Sequence, residues 1–115
     1  MTDLEMTKLC AEAMGYRLLR VENGFMQSEN HYFIQSGSYN PLHDDAQVMA
    51  LVKKFNLRIT GRFRMSTSEK AGDYEWMVRK RPVDAHIINA DLNRAIVECV
   101  AKMQKSVAVQ NTTQR

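Results

Sequence analysis

From Leu57 to Met65 the chain alternates. Leu57, Ile59, Phe63 and Met65 fall on one parity; Arg58, Thr60, Arg62 and Arg64 fall on the other. A strand puts successive side chains on opposite faces, so this period of two reads as a half-buried strand. Ser66 to Asp73 is polar and reads as a loop, and Tyr74 to Lys80 as the return strand of a hairpin. Tyr74, Trp76 and Val78 share one parity of that strand, and Glu75, Met77 and Arg79 the other. Pro82 ends it, because proline cannot donate to a ladder. A hairpin requires a sheet that is at least partly antiparallel, and one apolar face requires something to cover it.

Three amphipathic segments supply the cover. Residues 3–14 read as a helix, with Thr2 as cap, Glu5 completing a capping box, and Gly15 suited to the left-handed stop. Met6, Leu9, Cys10 and Ala13 form its stripe. Residues 44–55 read as a second helix. Asp44 and Asp45 suit its positive end, Lys53 and Lys54 its negative end, and Asp44 with Gln47 spells a second capping box. Residues 90–104 read as a third, with Leu92, Ala95, Ile96, Cys99, Val100 and Met103 as the strongest stripe in the chain. Burying it contributes on the order of 10 kcal/mol before entropy is subtracted. Tyr16–Val21, Phe25–Gln27 and His31–Gln35 read as short strands, and Ser36-Gly37-Ser38 as a break.

The expected fold is therefore α+β: a three-layer α/β/α sandwich with a mixed or mostly antiparallel sheet of four to five strands and three helices. One domain spans residues 1–104, and residues 105–115 read as a flexible C-terminal tail. Hydrophobic residues at 44% and charged residues at 25% suit a globular chain and argue against disorder. No apolar run approaches the ~18 residues of a membrane span. The acidic start Met1-Thr2-Asp3-Leu4-Glu5 does not read as a signal peptide, which points to the cytoplasm.

Charge is unevenly spread. Residues 1–52 carry net −4, residues 53–81 net +6, and residues 82–115 net +1. The basic hairpin is thus the candidate binding surface: Arg58, Arg62 and Arg64 on one strand, Arg79, Lys80 and Arg81 closing the next, and Tyr74 and Trp76 as nearby aromatics. Arginines with aromatics on a sheet suit a nucleic-acid partner, by phosphate tracking and base stacking. They equally suit an acidic protein partner, since arginine and aromatics are enriched at interfaces. The plainest alternative is a solvated face, or arginine stems covered by a helix or paired to Glu75.

Catalytic and metal signatures are missing. There is no GxSxG elbow, Walker loop or GxGxxG. His31, His43 and His86 have no partner at ligand spacing, so His43 and His86 read as loop residues and Asp44 and Asp45 as caps rather than zinc ligands. Cys10 and Cys99 stand far apart among apolar residues and read as buried, reduced thiols. The eight methionines read as core filling. No cofactor or metal is expected, and the chain reads as a binding protein rather than an enzyme.

Two stretches carry a resemblance. Tyr39-Asn40-Pro41-Leu42-His43-Asp44-Asp45-Ala46, with Val48 to Lys53 after it, resembles the NPL-x-DD segment of small phage and prophage proteins. Asp91 to Glu98, with Arg94-Ala95-Ile96-Val97, resembles the start of their last helix. The family is the phage ABA sandwich domain. His43 departs from its usual threonine or serine, and Ala46 from its usual glycine. The resemblance implies the α/β/α sandwich and a phage or prophage accessory protein acting inside the bacterial host. It implies no activity. Small size, missing catalytic signatures and a single charged surface make the chain read as an interaction protein for a host or phage macromolecule, a host or phage protein first and nucleic acid as the alternative. Asn40, Pro41, Asp44 and Asp45 would form either a functional loop or a turn and cap that set the second helix.

Overall fold

A computed structural model describes residues 1–28, 31–63, 74–80 and 85–113. The expected polar loop at 66–73, with Arg64, Met65, Arg81 and Pro82, lies outside them.

Local chemistry sets the helix ends. Helix α1 spans Asp3–Met14; the Thr2 hydroxyl accepts from the Glu5 N–H, and Gly15 stops the helix at φ 78°. Helix α2 spans Asp45–Phe55, with the Asp44 carboxylate accepting from the Gln47 N–H and Asn56 left-handed at φ 51°. Asparagine tolerates that region better than other side-chain-bearing residues. Helix α3 spans Leu92–Thr113. Asp91 caps it by accepting from the Arg94 N–H, and Asn89 in turn accepts from the Asp91 N–H. The helix continues past Gln104 because no glycine or proline follows to interrupt it.

The strands differ from the expected single sheet of four to five. All described pairings are antiparallel, and they form three small sheets. Strands β1 (Arg20–Val21) and β2 (Gly24–Phe25) make one hairpin, and β3 (Tyr32–Ile34) and β4 (Gly37–Tyr39) another. Strands β5 (Arg58–Phe63), β6 (Tyr74–Lys80) and β7 (Ala85–Asn89) make a three-stranded sheet with β6 in the middle. Gly37 begins β4 where the sequence suggests only a break: at φ 133° it completes the turn that sends the chain back along β3. Two backbone bonds tie the small hairpins together, and a third across the foot of the first closes a ring. The Leu19 N–H donates to the Phe33 carbonyl, Phe33 to Met26, and Met26 to Leu19.

Neither do the helices flank a central sheet, as an α/β/α sandwich would require. Helix α3 is the central element. It packs on β6 and β7 and also on α1 and α2. Its buried residues therefore extend beyond one stripe: Ala95, Ile96, Val97, Cys99, Val100 and Ala101 are all buried. Val97 and Ala101 lie off the stripe read from the sequence. A helix covered on more than one side shows broad rather than amphipathic burial. From α1 the core receives Met6, Cys10 and Ala11, and from α2 Val48 and Leu51. Among the described residues the buried polar side chain there is Thr7, which donates to the Asp3 carbonyl at 2.8 Å.

Candidate functional site

Register determines which residues of the three-stranded sheet share a face. Ile59 pairs with Val78, and Val78 with Ile87. Val78 and Ile87 are buried and Ile59 packs against the same core, so this row faces α3. The next row belongs to the other face: Arg58 pairs with Arg79, and Arg79 with His86. Beside it run Thr60, Met77 and Ile88. Arg58 and Thr60 are exposed, Met77 and Arg79 half-buried, and Ile88 is 42% exposed. An exposed β-branched apolar residue next to two guanidiniums marks the face that α3 does not cover.

The predicted hairpin residues separate along this division. Arg58 and Arg79 sit side by side on the open face. The Arg62 position is opposite Glu75, on the same parity. Trp76 is opposite Gly61 and Tyr74 opposite Phe63, on the parity of Val78, so they do not join the arginines. Lys80 shares that second parity, and Arg64 and Arg81 lie outside the described residues.

Arg58 and Arg79 also line a depression of about 270 Å³, with Leu57 and Asn56 completing it. Leu57 is buried and Asn56 exposed. Among the described residues, no carboxylate belongs to this lining and neither guanidinium has an acidic partner.

The motif residues are brought together elsewhere. The His43 N–H donates to the Asn40 carbonyl at 3.0 Å, closing the Asn-Pro-Leu turn over a fully buried Pro41. Gln47 Oε1 accepts from the Asn40 N–H at 2.6 Å, and Gln47 Nε2 donates to the Ser38 carbonyl at 2.8 Å. Asp45 accepts from Asn93 Nδ2 at 2.9 Å, which joins the two resembling stretches at the starts of α2 and α3. Arg94 Nη2 meets Asp3 at 2.8 Å, adding the start of α1. Asn40, Pro41, Asp44 and Asp45 are thus engaged in positioning helices. Gln47 and Asn93, which do much of that positioning, were legible only as a capping-box member and as one letter of a motif.

Behind this corner, Tyr39 is buried edge-on to Tyr16, with ring centroids 5.4 Å apart. Burial, with Cys10 close by, pushes its hydroxyl well above the usual phenol range. The Cys10 thiol donates to the Val97 carbonyl at 3.4 Å. Burial, reinforced by Cys99, raises it to about 12; burial raises Cys99 to about 11 against the opposing effect of Lys102. Such thiols are poor nucleophiles at neutral pH. Among the described residues no group of three His, Cys, Asp or Glu is placed to hold a metal ion, and no helix is long and apolar enough to cross a membrane.

The geometry defines an α+β fold in which α3 packs on one face of a three-stranded sheet and, among the described residues, the other face combines arginine with aliphatic side chains. Comparison of the chain with family models, curated proteins and solved structures gives no match.

Proposed function

We propose that this chain is a non-catalytic interaction protein that docks an acidic protein surface on the open face of the β5–β6–β7 sheet. The observation that carries the reading is the row Arg58–Arg79 beside Thr60, Met77 and Ile88. Guanidinium groups next to accessible aliphatic side chains are the composition of protein interfaces, where arginine and methionine are enriched. Base stacking needs aromatics beside the phosphate-binding cations. Here the Trp76 position is on the opposite face, which favours a protein over single-stranded nucleic acid. The likeness of residues 39–53 and 91–98 to segments of phage ABA sandwich proteins supports a phage or prophage accessory role in the bacterial cytoplasm, although the sandwich itself is not the arrangement these elements adopt; the partner on this reading is a host or phage protein. Inhibition of a host process such as defence is one form this takes.

The test is capture from phage-infected bacteria, followed by identification and reconstitution with the purified partner. Arg58→Glu with Arg79→Glu should weaken the reconstituted complex by at least about tenfold while leaving the circular dichroism spectrum unchanged. Undiminished binding by that variant removes the reading. So does recovery of only oligonucleotides, with affinity falling steeply in salt.

A further inference from the structure

We propose that the depression between Arg58 and Arg79 is an oxyanion site that takes a dianion of the phosphate class. This rests on the reading of the open sheet face as the binding surface and names the chemistry of one spot on it.

The first ground is register. Arg58 and Arg79 are directly opposite each other on β5 and β6, and side chains so placed interact at close range. Two like charges there repel, and among the described residues no carboxylate relieves them. A pair of this kind costs stability in the free protein and gains it when an anion sits between the guanidiniums. The second ground is donor geometry. Each guanidinium presents N–H donors in a planar fork that fits two oxygens of one oxyanion. The exposed Asn56 side chain borders the same space, and an amide can donate without adding charge. The third ground is shape. Leu57 is buried under a depression of about 270 Å³, large enough to receive a phosphoryl group between the forks. Two fixed positive charges match a phosphate, which carries about −1.5 to −2 near neutral pH, better than a single carboxylate.

The experiment titrates inorganic phosphate into the isotopically labelled full chain at low ionic strength, with acetate as the monoanionic control. Arginine side-chain and backbone amide resonances of residues 56–58 and 79 should shift and saturate with phosphate but not with acetate. Arg58→Gln and Arg79→Gln should each weaken phosphate binding by about tenfold or more. They should also carry an opposite signature. Each variant should melt at a higher temperature than wild type in phosphate-free buffer, because the repulsion is gone, and should gain less from added phosphate. The variant comparison matters because phosphate stabilises proteins generally by exclusion from their surface.

A second arm with O-phosphoserine separates the sources. Tighter binding than inorganic phosphate assigns a phosphomonoester carried by a partner; equal or weaker binding assigns the free ion. Shifts that never saturate, acetate binding as tight as phosphate, or a phosphate-induced rise in melting temperature unchanged in both variants would each overturn the site. None of these outcomes bears on whether a captured protein docks on the sheet, so the two readings fail separately.

Discussion

Replacing Gln47 with alanine isolates the contact that holds the Asn-Pro-Leu turn to α2. The side chain makes two hydrogen bonds, a part-buried one from the Asn40 N–H and an exposed one to the Ser38 carbonyl. Alanine leaves the Asn40 amide without an acceptor, next to an Asn40 Oδ1 that among the described residues already has no partner, and a fully buried Pro41. An orphaned buried donor costs about 1–3 kcal/mol and an exposed bond about 0.5 kcal/mol. Alanine returns a few tenths through its helix propensity. The net loss is about 2 kcal/mol. With an unfolding entropy of about 2.1 cal/mol/K per residue over 115 residues, this lowers Tm by about 8 °C. Gln47→Glu keeps the acceptor for Asn40 and suits the first turn of a helix, but sets a carboxylate against the Ser38 carbonyl. It should cost less than half as much. Thermal melts and urea titrations of both variants check this, with an unchanged m-value showing that only stability moved. A Gln47→Ala protein within about 0.5 kcal/mol of wild type refutes the reasoning, as does a Gln47→Glu protein as unstable as the alanine variant.

Two further outcomes are expected. Val78→Ala on the covered face should cost about 2–3 kcal/mol, from two lost carbons at about 0.8 kcal/mol each plus the cavity they leave. Ile88→Ser on the open face should stay within about 1 kcal/mol in the same denaturant titrations; equal losses would mean that both faces are packed. The thiols should make stability fall at high pH. The folded chain holds the Cys10 and Cys99 protons up to about 12 and 11, whereas an unfolded chain releases them near the ordinary value of 9.0. Below pH 9 both states keep these protons and this contribution is flat. As pH rises from 9 towards 11–12 the unfolded state binds fewer protons, so stability declines. Denaturant midpoints across this range measure it, and replacing both cysteines with alanine should reduce the slope, chiefly between pH 9 and 10, leaving above that the part due to the raised Tyr39 hydroxyl.

What the sequence reveals here depends on the range of the interaction. The caps at Thr2, Asp44, Gly15 and Asn56 are local chemistry and appear where the residues announce them. The β5–β6 hairpin follows from its alternation, and even the separation of Trp76 from Arg79 is set by parity. Strand β7 was not visible, because Ala85-His86-Ile87-Ile88-Asn89 is too short to distinguish a strand from the approach to a helix. Burial on two sides of α3 was not visible either. A helical stripe records its strongest face, and alanine and valine at 101 and 97 are unremarkable until α1 is placed against them. The Arg58–Arg79 pairing needed the register, which depends on how β5 and β6 meet across a connection whose length alone does not fix it. Asn93 needed the tertiary fold, since its partner Asp45 is remote in the chain.

The closed ring of amides at Leu19, Met26 and Phe33 has a consequence for how this region tolerates change. Its three members stand at equal steps of seven along the chain. Each connecting segment must return its end to the same small circle with its amide correctly oriented. Exposed side chains along those segments, such as Glu22, are free to vary, because the closure is made by backbone; Gly24 at φ 148° and the buried Tyr32 are not. Chain length is not. Adding or deleting one residue between 19 and 33 would turn an amide away and open the circuit, so variation here should run through substitution rather than through insertion or deletion.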